Sequence, residues 1–310
     1  MLLMAYGGPD RMEDVEPYLL DVRGGRPLPP PALAEIKRRY GLIGGRSPIL
    51  EHTRAQAAAL QAALDAQAGG VRTYVGMRHW HPTLAEAAAR MAGDGIERVV
   101  GLVMAPHYSR MSVELYFERL AEATAAAGRL IEIERIDSWK DDPGYLEVLT
   151  DRIEDALNLF EPAARRQVEL IFTAHSLPER ILTWYDPYPE QLRRTCELTG
   201  SALGLPSWQF AYQSASHTGE PWLGPDLLDA LRALAEAGRR QVVVCPIGFV
   251  ADHLEVLYDI EVEAKETADR LGLRLERAPS CNDGADFIDA LADLTARAMR
   301  GDPARAEGVR

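Results

Sequence analysis

Residues 249–263 read FVADHLEVLYDIEVE. The stretch follows Val242-Val243-Val244-Cys245-Pro246-Ile247, an apolar, β-branched run that suits a strand buried on both faces of a parallel sheet. From Leu254 the pattern turns helical, and the helix is expected to run to Leu271 with Val250, Leu254, Leu257 and Val262 on its buried stripe. Glu255, Asp259 and Glu263 fall at i, i+4 and i+8, so a regular helix stacks their carboxylates on one face. Like charges at that spacing cost about 0.2–0.5 kcal/mol per pair. Water or a cation has to offset that repulsion. A solvated acidic face and a stripe that holds a cation both satisfy the spacing.

Working outward, Val168–His175 (VELIFTAH) reads as a second strand, ending in a histidine. Open α/β sheets place ligands outside the carboxyl ends of their strands, where His175 falls. Its imidazole has an ordinary pKa near 6.5, and a structural, hydrogen-bonded His is the alternative. Apolar runs at 1–6, 71–76, 98–105, 131–137, 168–174, 208–213, 241–247 and 273–278 alternate with amphipathic stretches. That alternation predicts an α/β fold of parallel sheets with helices on both faces.

The halves echo each other. Gly101–Pro106 aligns with Val242–Pro246 at a shift of about 140 residues, which brings Glu114 and Tyr116 near Glu255 and Tyr258. The pattern predicts two similar Rossmann-like domains, each with a four-stranded parallel sheet, and a cleft between them. The first is expected over 1–150 and the second over 151–285. A last helix is expected at about 284–299, with a frayed tail from Gly301. Gly24-Gly25 and Gly44-Gly45 lack the GxGxxG context of a dinucleotide fold. The Pro29–Pro31 run reads as a loop.

The 310 residues are 47% hydrophobic and carry a net charge of −13. That charge argues against nucleic acid and against an anionic membrane surface as partners. There is no run of about 18 apolar residues, so no integral membrane segment is expected. No signal-peptide pattern is visible at the start, and a cytoplasmic location is expected. The widely spaced Cys196, Cys245 and Cys281 suit neither a zinc knuckle nor a disulfide framework.

Two stretches together resemble the signature motifs of ferrochelatases: AHSLPER at 174–180 and GFVADHLEVLYD at 248–259. Met4–Pro9 (MAYGGP), Tyr40–Pro48 (YGLIGGRSP), Gly76–His79 (GMRH) and Ala105–Ser109 (APHYS) are similar to that family's N-terminal blocks. Gln213-Ser214 and Pro221–Pro225 (PWLGP) are similar to its C-terminal blocks. The likeness runs in order from residue 2 to about residue 290 and is closest to the soluble bacterial branch that metallates coproporphyrin III.

The resemblance implies that the last helix returns to the first domain, giving it 286–310 as well. It also implies insertion of Fe(II) into a porphyrin. The substrates are then the metal ion and coproporphyrin III or another porphyrin, and a haem-pathway enzyme takes the product. No cofactor is implied, and with no fourth cysteine no iron–sulfur cluster is expected. His175 is implied as proton acceptor and metal ligand, for which a neutral imidazole is suited near pH 7. Glu255 matches the partnering carboxylate, with Asp259 and Glu263 behind it as an acidic relay. Tyr6 is implied on the opposite wall, with Arg78 and His79 after the second strand. Arg23, Arg39, Ser47 and Tyr116, together with Arg26 and Arg46, fall in segments implied to hold propionates at the rim, where the guanidinium fork suits carboxylates.

Overall fold

The computed structural model describes residues 1–67, 69–205, 207–216 and 219–301. The tail expected to fray lies beyond these from 302 onward. Strands β1 (Leu2–Ala5), β2 (Tyr74–Met77), β3 (Arg98–Val103) and β4 (Glu132–Ile136) form one sheet. Strands β5 (Glu169–His175), β6 (Gln209–Gln213), β7 (Gln241–Cys245) and β8 (Arg274–Arg277) form another. The strand orders are β2-β1-β3-β4 and β6-β5-β7-β8, and every pairing is parallel. The sheets therefore share one topology, and each reverses its winding between its first and third strands in sequence.

Alternation along the strands explains why they read as continuous apolar runs. Leu2, Met4, Val99 and Val103 face an outer core with helices α4 (Leu84–Gly93) and α5 (Val113–Ala126). Ile171, Val242 and Val244 face a matching outer core with α8 (Leu227–Glu236). The residues between them, Leu3, Leu102, Phe172 and Val243, belong to one central core common to both sheets. Successive strand side chains point to opposite faces, so a strand buried on both has no polar positions.

The central core is filled by α3 (Ile49–Gln67), α6 (Pro143–Leu157), α7 (Tyr188–Ala202) and α11 (Ala285–Met299). As expected, the last helix returns to the first sheet, packing on α3 and α6. Gly144 permits the close α6–α11 approach, since a Cβ there would sit 2.8 Å from the Cβ of Ala290. Residue 150, where the division between halves was expected, falls inside α6.

Helices α1 (Val15–Val22) and α2 (Pro30–Leu42) form a lip on the first half. The loop expected at Pro29–Pro31 is corrected here. Pro29 is the residue before α2, and Pro30 and Pro31 open the helix, where the missing N–H costs nothing and φ is preset. The helix expected over 254–271 is also corrected. It is three pieces: α9 (Leu254–Leu257), a π-helix over Asp259–Ala264, and α10 (Lys265–Leu271). Its fully buried stripe is Val256, Ile260, Ala264 and Ala268; Leu254, Leu257 and Val262 are only half-buried.

Candidate active site

His175 is the last residue of β5 and Glu255 lies in the loop-to-helix segment after β7, so both flank the point where the second sheet reverses its winding. The imidazole Nδ1–H donates to the carbonyl of Ser176, and Tyr188 Oη donates to the carbonyl of His175 at 3.0 Å. The first bond fixes the tautomer and leaves Nε2 facing the cleft. Nε2 lies 3.6 Å from Glu255 Oε1, and the two side chains are 31% and 32% exposed. The turn after His175 is braced by the 221–225 segment. Ser176 Oγ donates to Leu223 O at 2.7 Å, and the Trp222 ring lies 6.3 Å from the imidazole.

The other oxygen of Glu255 has its own imidazole: His253 Nε2 is 3.5 Å from Oε2, while His253 Nδ1 donates to Ala251 O at 2.9 Å. The sequence reading passed over His253. On a helix, residues two apart point apart, but His253 precedes the helix in extended backbone (φ −160°, ψ −175°), which turns its ring onto Glu255. Burial disfavours charge on His175, but the Glu255 carboxylate outweighs it and raises the imidazole to about 9. Burial likewise opposes charge on Glu255, and the two imidazoles hold it below the usual carboxylate range. The resting pair is thus imidazolium and carboxylate, where a neutral imidazole was expected.

Behind Glu255 the backbone bulges. Tyr258 O accepts from both Val262 N at 3.1 Å and Glu263 N at 2.9 Å, so α and π registers meet at one carbonyl. Asp259 is buried and accepts from Ser214 Oγ, on a residue with φ +62°. Burial pushes its carboxyl up to about 7, against the Ser214 hydrogen bond and with the fields of Glu255 and Glu263 adding to the rise. Glu263 is half-buried one turn on.

Tyr6 follows β1, the counterpart of β5, and is 38% exposed. Burial of its hydroxyl and the field of Glu255 push the phenol up to about 12, so Tyr6 looks across the cleft at Glu255. Its ring lies 4.6 Å from that of His79. His79 is buried with Nδ1 2.8 Å from Asp21 Oδ2; burial lowers it to about 4 despite that carboxylate, and it stands neutral. The Arg78 guanidinium lies 5.9 Å from the Tyr6 ring centre and 5.3 Å from that of Tyr116.

Not every residue expected at the rim is there. Tyr116 is buried in the outer core of the first sheet, and Ser47 is buried because Gly8 packs on it; a Cβ at Gly8 would lie 2.6 Å from the Cβ of Ser47. Arg23 and Arg26 are at the lip, each Nε donating to the other's carbonyl at 3.1 and 3.2 Å. Arg46 is exposed and paired with Glu51 at 2.8 Å. Arg39 donates from Nε to Glu35 at 3.0 Å and lies over the Tyr258 ring at 4.7 Å, within the fields of Glu263 and Asp259. It therefore sits beside the acidic residues rather than out on the rim. Cys196, Cys245 and Cys281 are buried free thiols in the central core.

The arrangement can take up and release protons at His175 Nε2, attract a divalent cation to Glu255 and Asp259, and meet a flat ring from the Tyr6 side. A ferrochelatase family model matches residues 1–299. The chain is 44% identical over 292 residues to a ferrochelatase of Herpetosiphon aurantiacus, covering 94% of this chain and 96% of that one. It is 41% identical over 299 residues to a coproporphyrin III ferrochelatase of Geobacillus kaustophilus, covering 95% and 94%. The solved structure of SirB from Bacillus subtilis with Fe3+ superposes with a TM-score of 0.60 at 9% identity, covering 96% of this chain and 94% of that one, which speaks for the fold alone. Among the described residues no helix is long and apolar enough to cross a membrane. With the matched model spanning both sheets and the cleft, the chain belongs to the ferrochelatase family, the enzymes that insert Fe(II) into a porphyrin.

Proposed function

We propose that the porphyrin is coproporphyrin III and that the reaction runs between His175 and Glu255 on one wall and Tyr6 on the other, in the cytoplasm. The observation that carries the substrate reading is the polar first-half wall. Tyr6, Arg78, Arg39 and Arg23 offer a phenol and three guanidinium groups around the cleft, and the α1–α2 lip carries few exposed apolar side chains. Four propionates use such a wall better than two, and the relative from Geobacillus kaustophilus bearing the coproporphyrin name supports the reading. His79, Tyr116 and Ser47 then act from beneath, stiffening the wall that Tyr6 and Arg78 present. The halves 1–150 plus 286–301 and 151–285 form the two walls, with α6 running under both.

The proton chemistry follows from the resting ion pair. A divalent cation reaching Glu255 cancels the field that holds the proton on His175. His175 then releases its Nε2 proton to solvent, and the freed Nε2 lone pair accepts a pyrrole proton, with Nδ1–H still anchored on Ser176 O. Asp259 and Glu263 carry the hydrated ion inward, as oxygen ligands bind such ions weakly enough to release them. Turnover of Fe(II) with coproporphyrin III and protoporphyrin IX side by side tests the substrate. A kcat/KM advantage for coproporphyrin III of roughly ten- to a hundredfold per well-held propionate is expected, and equal values or a protoporphyrin preference would overturn it.

A further inference from the structure

We propose that Arg277, at the end of β8, is a positioning residue that sets the register of the π-helix by binding the chain at Asp252 and again at Glu261. The inference rests on the reading of Asp259 and Glu263 as the metal path. Arg277 is only 12% exposed, with Nη1 3.2 Å from Asp252 Oδ1 and Nε 2.6 Å from Glu261 Oε1. Between these two anchors lie His253, Glu255 and Asp259, and Glu263 follows two residues beyond the second, so one guanidinium brackets Glu255 and Asp259 of the residues assigned to metal and proton transfer.

The first anchor is itself fixed. Ser280 Oγ donates to Asp252 Oδ1 at 2.7 Å, and Asn282 Nδ2 donates to Oδ2 at 3.2 Å. Asp252 N donates back to Asn282 Oδ1 at 2.9 Å. Asn282 holds a left-handed φ of +45°, and its carbonyl accepts from Gln56 Nε2 of α3 at 2.7 Å, tying the network to the first half. The second anchor lies on the back of the π-helix. Glu261 binds Arg277 and Lys265, while Asp259 binds Ser214 on the other side and shares its field with Glu255 and Glu263.

A positioning device is needed because Tyr258 O already serves both registers. π-bulges are rare and persist mostly at functional sites. A slip of one residue turns a helical side chain by about 100°, which would carry Asp259 and Glu263 off the cleft. Arg277 opposes the slip because it holds Glu261 at a fixed distance along the chain from Asp252. A lysine keeps the charge but not the fork, so it cannot bind both carboxylates in this geometry.

The test compares Arg277→Lys, Arg277→Gln and Glu261→Gln in the full chain, with steady-state kinetics and amide hydrogen exchange. The expected result is a rise of roughly fivefold or more in KM for Fe(II), with kcat and porphyrin affinity within about twofold. Amide exchange should accelerate by about tenfold at 259–264 and stay unchanged in the strands of the second sheet. If Arg277→Gln does not fold, Arg277→Lys and Glu261→Gln carry the test. Wild-type KM and exchange in Arg277→Lys, or acceleration spread evenly over the second sheet, would overturn the proposal. Should Asp259→Ala and Glu263→Ala leave KM for Fe(II) unchanged, the metal-path reading fails. Exchange confined to 259–264 would then still support the register role, and its absence would overturn it.

Discussion

Both halves place a glutamate just after their third strand, and the two glutamates have opposite fates. Glu114, in the first turn of α5, accepts from Tyr108 Oη at 2.8 Å and from Arg135 Nη2 at 2.6 Å. Its charge is spent inside the fold, with the Arg135 guanidinium stacked 4.2 Å over Phe117. Glu255 meets two imidazoles at 3.6 and 3.5 Å, neither of which carries a permanent charge. An arginine partner is always charged, whereas a histidine partner exchanges its proton near neutral pH. A duplicated frame thus became a structural ion pair in one half and a protonic one in the other.

The strongest way to break this comparison is at the ends of the equivalent strands β5 and β1. His175→Ala is expected to lower kcat by about 10³-fold while porphyrin binding, read by fluorescence quenching, changes less than about tenfold. Tyr6→Phe, on the opposite wall, should cost less than about tenfold in kcat. A His175→Ala enzyme near wild type would end the assignment.

Next come the glutamates themselves. Glu255→Gln should lower kcat by about a hundredfold. Glu114→Gln should leave kcat alone and remove about 1 kcal/mol of stability. The two also differ in pH dependence. The folded pKa of His175, about 9, exceeds the unfolded 6.5, so the pair's stabilisation is complete below about pH 6.5 and is lost as pH rises through 9. Melting temperature should therefore fall between pH 7 and pH 9.5 in wild type and in Glu114→Gln, and fall less in Glu255→Gln. Parallel melting curves for all three would show that His175 is not held charged by Glu255.

Selectivity sharpens the comparison on the first half. Arg39→Ala and Arg23→Ala should each erode the coproporphyrin advantage by about tenfold, measured as the ratio of kcat/KM for the two porphyrins. A ratio unchanged in both would remove these residues from propionate binding.

The smallest effect is a pH slope. Asp259 titrates near 7, and its protonated form repels no metal but binds none. KM for Fe(II) should therefore fall as pH rises toward 7, by up to about tenfold per unit, and level off above it. Asp259→Asn should flatten the slope, and an unaltered slope in that variant would move the titration elsewhere.

The central strands were legible because burial on both faces removes polar positions, so they read as apolar runs such as Val242–Ile247, while the edge strands β4 and β8 alternate apolar with charged residues. The return of α11 was not legible in its own residues and came only from the family resemblance. The lip was half lost, since Pro29–Pro31 looks like a breaker until Pro30 and Pro31 prove to be the first residues of α2. The π-helix was illegible because Glu255, Asp259 and Glu263 are spaced four apart whichever register follows. His253 was missed because its backbone is extended, and a helical wheel assigns it to the wrong side. The burial of Ser47 and Tyr116 depends on Gly8 and on the outer core, contacts across the chain that no local pattern carries. The charge on His175 could not be read either, because it depends on a distance to a residue eighty positions on.

Helix α11 closes the first sheet, and Thr295 Oγ1 meets Met1 Sδ at 3.9 Å, so the two ends of the described chain lie side by side. This has a consequence for synthesis on the ribosome. Sheet one has all its strands by Ile136, yet the face that α11 covers stays bare until Met299 emerges. At about 5–20 residues per second that interval lasts roughly 8–30 seconds. During it Leu3, Leu102 and Ile136 lack part of their cover. The nascent first half therefore carries an exposed apolar face throughout that interval. A chain that ends before α11 would leave that apolar face exposed and would be prone to aggregate.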